Sequence, residues 1–136
     1  MTVGLHYASL PAPLGLVAAH YWFTVSEGER CDRWEIWQRP GAGGVSIGHL
    51  HCNLKGPHDG VGGGPARLSA EWQGAVALRL KEVLEKAGEE YPYRHRYVAW
   101  PGPNSNTFAS WVLRRAGIDL KLPWKAIGRN YPCPGV

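Results

Sequence analysis

The sequence predicts an α+β domain in which a small antiparallel sheet packs on two main helices. Three observations carry this. Residues 16–25 alternate in polarity, as a strand with two distinct faces does. Residues 69–87 and 105–116 place apolar side chains at helical spacing. The strand patterns come first, followed by a helix, a short extended stretch and a second helix, an order that points away from repeated βαβ units.

The elements follow in order. In 16–25, Val17, Ala19, Tyr21, Phe23 and Val25 share one face, and His20, Trp22 and Thr24 share the other. Ser26-Glu27-Gly28-Glu29 reads as a turn, and residues 33–38 as a second strand and hairpin partner. After a Gly-rich loop at 38–44, residues 45–53 read as a third strand with a histidine-rich end. Residues 56–65 hold five glycines and two prolines and are expected to form a flexible surface loop. Ser69 is placed to cap the first helix and Gly88 to stop it, with Trp72, Val76, Leu80, Val83 and Ala87 on its buried stripe. Residues 94–100 read as extended, since Trp100 precedes a proline. The second helix starts at Ser105, and Gly117 is its C′ residue. Residues 118–122 form a last short strand, and the tail from Trp124 is irregular.

The 136 residues suit a single domain, 1–136, with no repeat or linker. Seven Trp and six Tyr are expected to dominate the core or a cleft. The net charge of +4 is spread along the chain, which argues for a solvated basic face and against nucleic acid as a partner. Three cysteines, Cys31, Cys52 and Cys133, cannot all pair within the chain and fit no zinc ribbon, so they read as free thiols in a reducing compartment. The first residues lack the basic region of a signal peptide, and no apolar run is long enough to span a bilayer. The expectation is a cytoplasmic protein without stable membrane insertion.

The chemistry concentrates at Trp100-Pro101-Gly102-Pro103-Asn104-Ser105-Asn106. Ser105, Phe108, Ala109 and Val112 sit at i, i+3, i+4 and i+7, so Ser105 begins the buried face of the second helix. Unpaired N–H groups at that end suit an oxyanion or a bound anion. They equally suit a cap, in which Asn104 or Ser105 accepts a bond from the first turn, worth roughly 1 kcal/mol. A serine nucleophile needs a base, for which histidine is best matched. His20 and Glu35 lie mid-strand in presumed hairpin partners, where the acid can orient the imidazole.

A separate constellation is His49-x-His51 with Cys52, His58 and Asp59, a workable metal pair without a fixed fourth ligand. Gly62-Gly63-Gly64-Pro65 lacks the Lys-Ser/Thr of a phosphate loop, and no G-x-G-x-x-G occurs, so no cofactor is implied.

Tyr91-Pro92-Tyr93, the block from Tyr97 through Trp100-Pro101-Gly102-Pro103-Asn104-Ser105-Asn106-Thr107-Phe108, Leu122-Pro123 and Ala126-Ile127-Gly128-Arg129-Asn130-Tyr131 closely resemble a bacterial family catalogued as domain of unknown function family 3750. The strand around His20 and the segment Arg33-Trp34-Glu35-Ile36 look like its earlier blocks, so the resemblance runs from about Leu14 to Tyr131. The order of strand histidine, polar residue on the next strand and helix-start nucleophile after an Asn also resembles circularly permuted papain-like proteins. These are relatives of the NlpC/P60 peptidases and of lecithin-retinol acyltransferase. That resemblance implies a permuted papain-like arrangement with His20 as base, Glu35 as orienting residue and Ser105 at a position where those enzymes keep cysteine.

The expected activity is a serine-dependent hydrolase or acyltransferase on an amide or ester of a small-molecule, lipid or peptide substrate. Ser105, His20 and Glu35 would be catalytic. Asn104 and Asn106 would help hold the oxyanion, and Trp22, Trp37 and Trp100 would line the cleft. The alternatives are an inactive domain that binds an anionic group at Asn104-Ser105-Asn106, and a metal-dependent enzyme using His49 and His51.

Overall fold

The computed structural model describes residues 1–135. Its frame is one six-stranded antiparallel sheet with two helices on one face. The strands are β1 (Thr2–Ser9), β2 (Ala19–Glu27), β3 (Arg30–Ile36), β4 (Val45–Ile47), β5 (Leu50–Cys52) and β6 (Arg67–Gln73). Their order across the sheet is β4-β5-β3-β2-β1-β6. The helices are α1 (Gly74–Glu90) and α2 (Ser105–Arg115).

The predicted alternation of β2 decides what each face does. Ala19, Tyr21, Phe23 and Val25 join Val3 and Leu5 of β1 and Ile36 of β3 in the core. Ala77, Leu80, Leu84 and Ala87 of α1 and Phe108, Ala109, Trp111 and Val112 of α2 cover that face. On the opposite face, His20, Trp22 and Thr24 lie beside His6 of β1 and Arg33 and Glu35 of β3, as the strand registers require. These side chains are also buried. The segment that buries them is the Gly-rich stretch at 56–65, expected to be a flexible surface loop. It lies across the polar face as a strap, its carbonyls at Gly56, Pro57 and Asp59 accepting bonds from Trp22 and Arg33.

β2 and β3 form the expected hairpin, closed between Glu27 and Arg30 with Gly28 at φ 59°. A glycine at positive φ in the first position of a two-residue turn matches the twist of the strands it joins. α2 begins at Ser105 as predicted, and Gly117 closes it just past its C-cap, Ala116. Gly117 has φ 73° and donates to Arg114, while Ile118 donates to Leu113, the paired bonds of a Schellman cap.

Several elements differ from the expectation. Thr2–Ser9 is an interior strand of the sheet, between β2 and β6, and β6 occupies Arg67–Gln73, where the first helix was expected to begin. Ala70 and Trp72 alternate with Ser69, Glu71 and Gln73, and pairing with β1 decides between two periods that this short segment satisfies equally. Ser69 is therefore no cap. It is the extra residue of a bulge, because Leu5 pairs with Ala70 and His6 with Leu68. Gly88 does not stop α1 but sits inside it, where a Cβ would strike Ile47 Cδ1.

Residues 45–53 form a hairpin, β4 and β5, that turns at Gly48. Residues 94–100 and 118–122 are not strands. In the first of these, the Arg94 carbonyl docks on the hairpin turn and accepts from the His49 N–H at 2.7 Å. No helix among the described residues is long and apolar enough to cross a membrane.

Candidate functional site

The site begins with β2 and β3. His20 Nε2 lies 2.8 Å from Glu35 Oε1, with both side chains buried. Glu35 is in turn clamped by Arg33, two residues earlier on the same strand face. Arg33 Nε donates to Oε2 at 2.6 Å and Nη2 to Oε1 at 2.8 Å. Nη1 of Arg33 donates to the carbonyls of Gly56 and Asp59 at 3.0 and 2.7 Å, and the guanidinium lies 3.9 Å from the centre of the Trp22 ring. Burial pushes the Glu35 carboxyl up, but its bonds and charge pairing with His20 and Arg33 outweigh that and hold it below its ordinary value.

An ionised carboxylate only accepts, so His20 Nε2 carries the hydrogen. When the ring is neutral, its lone pair is then at Nδ1. Trp22 stacks on His20 at 5.7 Å and on His6 at 5.8 Å, and its indole N–H donates to Pro57. Trp22 is 0% exposed and forms no part of the cavity wall, so it supports the imidazole from behind instead of lining the cleft as expected. Trp37 meets His20 edge-on at 5.6 Å and does line the cavity, as does Trp100.

The second half of the site is the start of α2. Asn104 is the N-cap: its Oδ1 accepts from the N–H groups of Asn106 and Thr107, and its own N–H donates to Thr107 Oγ1 at 3.1 Å. Its Nδ2 donates to the Ala99 carbonyl at 3.0 Å. Asn106 ties the helix to the sheet. It accepts from the Tyr21 N–H at 3.2 Å and donates to the carbonyls of Ala19 and Ile127 at 2.8 and 3.0 Å.

Both carboxamides are thus committed to backbone partners. Asn106 has both amide hydrogens engaged and is not free to serve as the oxyanion donor expected of it, whereas Asn104 uses one of its two on Ala99; both border the cavity. Thr107 Oγ1 donates to Gly128 at 2.7 Å, and a Cβ on Gly128 would strike the Asn104 carboxamide. The Asn-Ser-Asn-Thr turn and the Ile127-Gly128 segment are therefore one interlocked unit.

Ser105 is placed by this unit with 7% exposure. Its hydroxyl has no hydrogen-bond partner among the described residues. Ser105 and His20 share the wall of one cavity of about 610 Å³, with no direct hydrogen bond between them. Catalytic bonds are often open before substrate arrives. Among the described residues, the Ser105 N–H is the one first-turn donor left without a partner, so an anion at this helix start would meet a single backbone N–H.

The second constellation does not assemble. His51 Nδ1 faces the His49 carbonyl at 2.8 Å and Nε2 accepts from the Ala42 N–H at 3.0 Å, so both ring nitrogens are engaged. His49 Nδ1 faces the Trp37 carbonyl. His58 packs edge-on against His6, and Asp59 caps its own turn by accepting from Gly56. No group of three or more His, Cys, Asp or Glu among the described residues is arranged to hold a metal ion. The three cysteines are free and lie away from the cavity, and burial pushes the Cys52 and Cys133 thiols up to about 11.

Two side chains of the polar layer were not anticipated, Arg33 and His6. The signal for Arg33 was its i, i+2 relation to Glu35, which puts both on one strand face. His6 bonds Thr24 Oγ1 at 2.8 Å, and its pKa is pushed down to about 4 by burial, with the His58 and Arg33 charges adding to the effect.

These features define an α+β domain whose sheet buries a His–Glu–Arg relay on one face and carries a helix-start serine on the cavity beside it. The chain belongs to the family described as Protein of unknown function (DUF3750), whose model matches residues 1–131. The match includes β1, which supplies His6 and an interior strand of the sheet. No curated protein and no solved structure matches the chain.

Proposed function

We propose that this protein is a serine-dependent hydrolase or acyltransferase acting on an amide or ester, with a permuted papain-like arrangement of its site. The observation that carries the reading is the buried Arg33–Glu35–His20 relay, which leaves His20 Nδ1 free on the cavity that Ser105 also lines. The chain order of base on β2, orienting acid on β3 and nucleophile at the start of α2 supports the papain-like comparison.

In the proposed reaction, Ser105 Oγ attacks the substrate carbonyl carbon while its proton passes to His20 Nδ1. The Ser105 N–H, the unpartnered donor of the first turn, faces the developing oxyanion. The tetrahedral intermediate collapses, the bond to the leaving oxygen or nitrogen breaks, and that atom takes the proton from His20. Water, or a second alcohol or amine, then attacks the acyl-serine and gives its proton to His20. The acyl product departs as Ser105 Oγ recovers that proton. Glu35 stays ionised throughout and holds the ring.

The test is covalent labelling of Ser105 by a fluorophosphonate, read by intact mass. Labelling is expected to vanish in Ser105→Ala and to slow by at least about 100-fold in His20→Ala. Labelling in His20→Ala at the wild-type rate, with the fold intact by circular dichroism, would falsify the reading.

A further inference from the structure

Two hollows lined by described residues differ in chemistry. The one beside α2's C-terminal end, about 520 Å³, is bordered by Arg114, Asp119, Lys121 and Arg129. The one holding His20 and Ser105 has no Lys, Arg, Asp or Glu on its wall. Its remaining surface is built from side chains such as Leu10, Leu14, Val17, Trp37, Val61 and Trp100.

This wall continues into solvent. Leu14 is 58% exposed, Val17 47% and Trp100 74%, and all three border the cavity. Large apolar side chains grouped and exposed at the mouth of a cleft mark a surface that meets an apolar ligand. A peptide terminus, an amino acid or a phosphorylated sugar carries charge, and a charge desolvated here would find no ionic partner. An uncharged apolar chain meets no such penalty and exchanges water for the wall at every methylene.

We infer that the substrate of this site carries an uncharged, extended aliphatic chain on the carbonyl that Ser105 attacks, and that Leu14, Val17 and Trp100 form the entry for that chain. The inference rests on the hydrolase reading for the chemistry, while the apolar selectivity stands on the cavity wall alone.

The experiment has a catalytic and a binding arm on the full chain. The p-nitrophenyl esters of acetate, butyrate and octanoate, and the p-nitrophenyl hemisuccinate, are compared by kcat/KM, with Ser105→Ala as blank. The octanoate is expected to exceed the acetate by at least about ten-fold. The butyrate is expected to exceed the hemisuccinate by at least about ten-fold. Val17→Asp, at a position 47% exposed and with its fold checked by circular dichroism, is expected to lower the octanoate-to-acetate ratio by about five-fold or more.

In the binding arm, octanamide and succinamate are titrated against Ser105→Ala and read by tryptophan fluorescence, since Trp37 and Trp100 line the cavity. Saturable binding of octanamide, weakened by Val17→Asp, is expected, with none for succinamate. Ser105-dependent turnover with a flat chain-length series, or with hemisuccinate preferred, overturns the inference and leaves the hydrolase reading in place. Selective octanamide binding without Ser105-dependent turnover supports the apolar cavity and overturns the hydrolase reading. Neither turnover nor octanamide binding overturns both.

Discussion

Replacing Arg33 by Met removes the cation from a fully buried pair, since both side chains are 0% exposed. Four hydrogen bonds go with it, two to the Glu35 carboxylate and two to the strap carbonyls of Gly56 and Asp59. Breaking one partner out of a buried ion pair costs about 3–5 kcal/mol, because the other charge is left without compensation. The size of the loss should depend on pH, and its sign follows from Glu35. In the wild type, the Glu35 pKa lies below the ordinary value of 4.5. Its contribution is therefore complete above 4.5 and is lost as pH falls through the depressed value.

Without Arg33, burial, the largest influence on Glu35, is less opposed and its pKa rises from the depressed wild-type position. The variant therefore loses less stability than the wild type as pH falls. The difference between the two proteins is greatest at neutral pH and shrinks on acidification. Urea unfolding at several pH values measures it. Arg33→Lys should fall between the two, since an ammonium cannot fork to the carboxylate and reach the strap together. A loss below about 1 kcal/mol at neutral pH, or a loss that does not change with pH, would refute this account of the relay.

Three further outcomes follow from the same geometry. Asn106→Asp turns two donors into an acceptor facing the Ala19 and Ile127 carbonyls, and is expected to cost about 2–4 kcal/mol, read as a fall in Tm. Gly128→Ala places a Cβ on the Asn104 carboxamide at φ 94° and should cost about 1–3 kcal/mol. Gly117→Ala, with open space around its Cβ, should cost clearly less in the same thermal assay. His6 is neutral in the fold down to about 4 against an ordinary 6.5, so the unfolded chain binds more protons between these values and stability is lost as pH falls from 6.5 toward 4. His6→Gln should flatten that part of the stability profile, and an unchanged slope would count against the assignment.

The approach of His20 to Glu35 was legible because it depends only on alternation along two strands and a turn at Gly28 that sets their register. Arg33 was equally available from the same alternation, as was β1, where Val3, Leu5 and Tyr7 alternate with Gly4, His6 and Ala8. The roles of Asn104 and Asn106 were not. Asn106 bonds residues 85 and 87 positions away, and nothing in the local pattern of a helix start says whether a carboxamide faces a ligand or a distant backbone. The strap is the extreme case. What it gives the relay is two carbonyl oxygens, with a third for Trp22, a group every residue carries, so a Gly-rich composition shows that the segment bends without showing what it covers.

The polar face is hard to explain by stability. Buried ion pairs commonly add no more than an apolar replacement of similar volume, and a chain of 136 residues has a limited core to spare. The other face of the same sheet shows how this sequence secures its fold, with Phe23, Leu5 and Ile36 packed against two helices. On the polar face, one arginine spends four donors on a single glutamate and the strap above it, and that glutamate holds one nitrogen of one histidine. Such an arrangement fixes a tautomer and a ring orientation, which matter little to folding and a great deal to proton transfer at the opposite nitrogen. Arg33 is in this view a positioning residue. It acts on Ser105 only through Glu35 and His20, so its loss should alter the pH profile of fluorophosphonate labelling before it abolishes labelling.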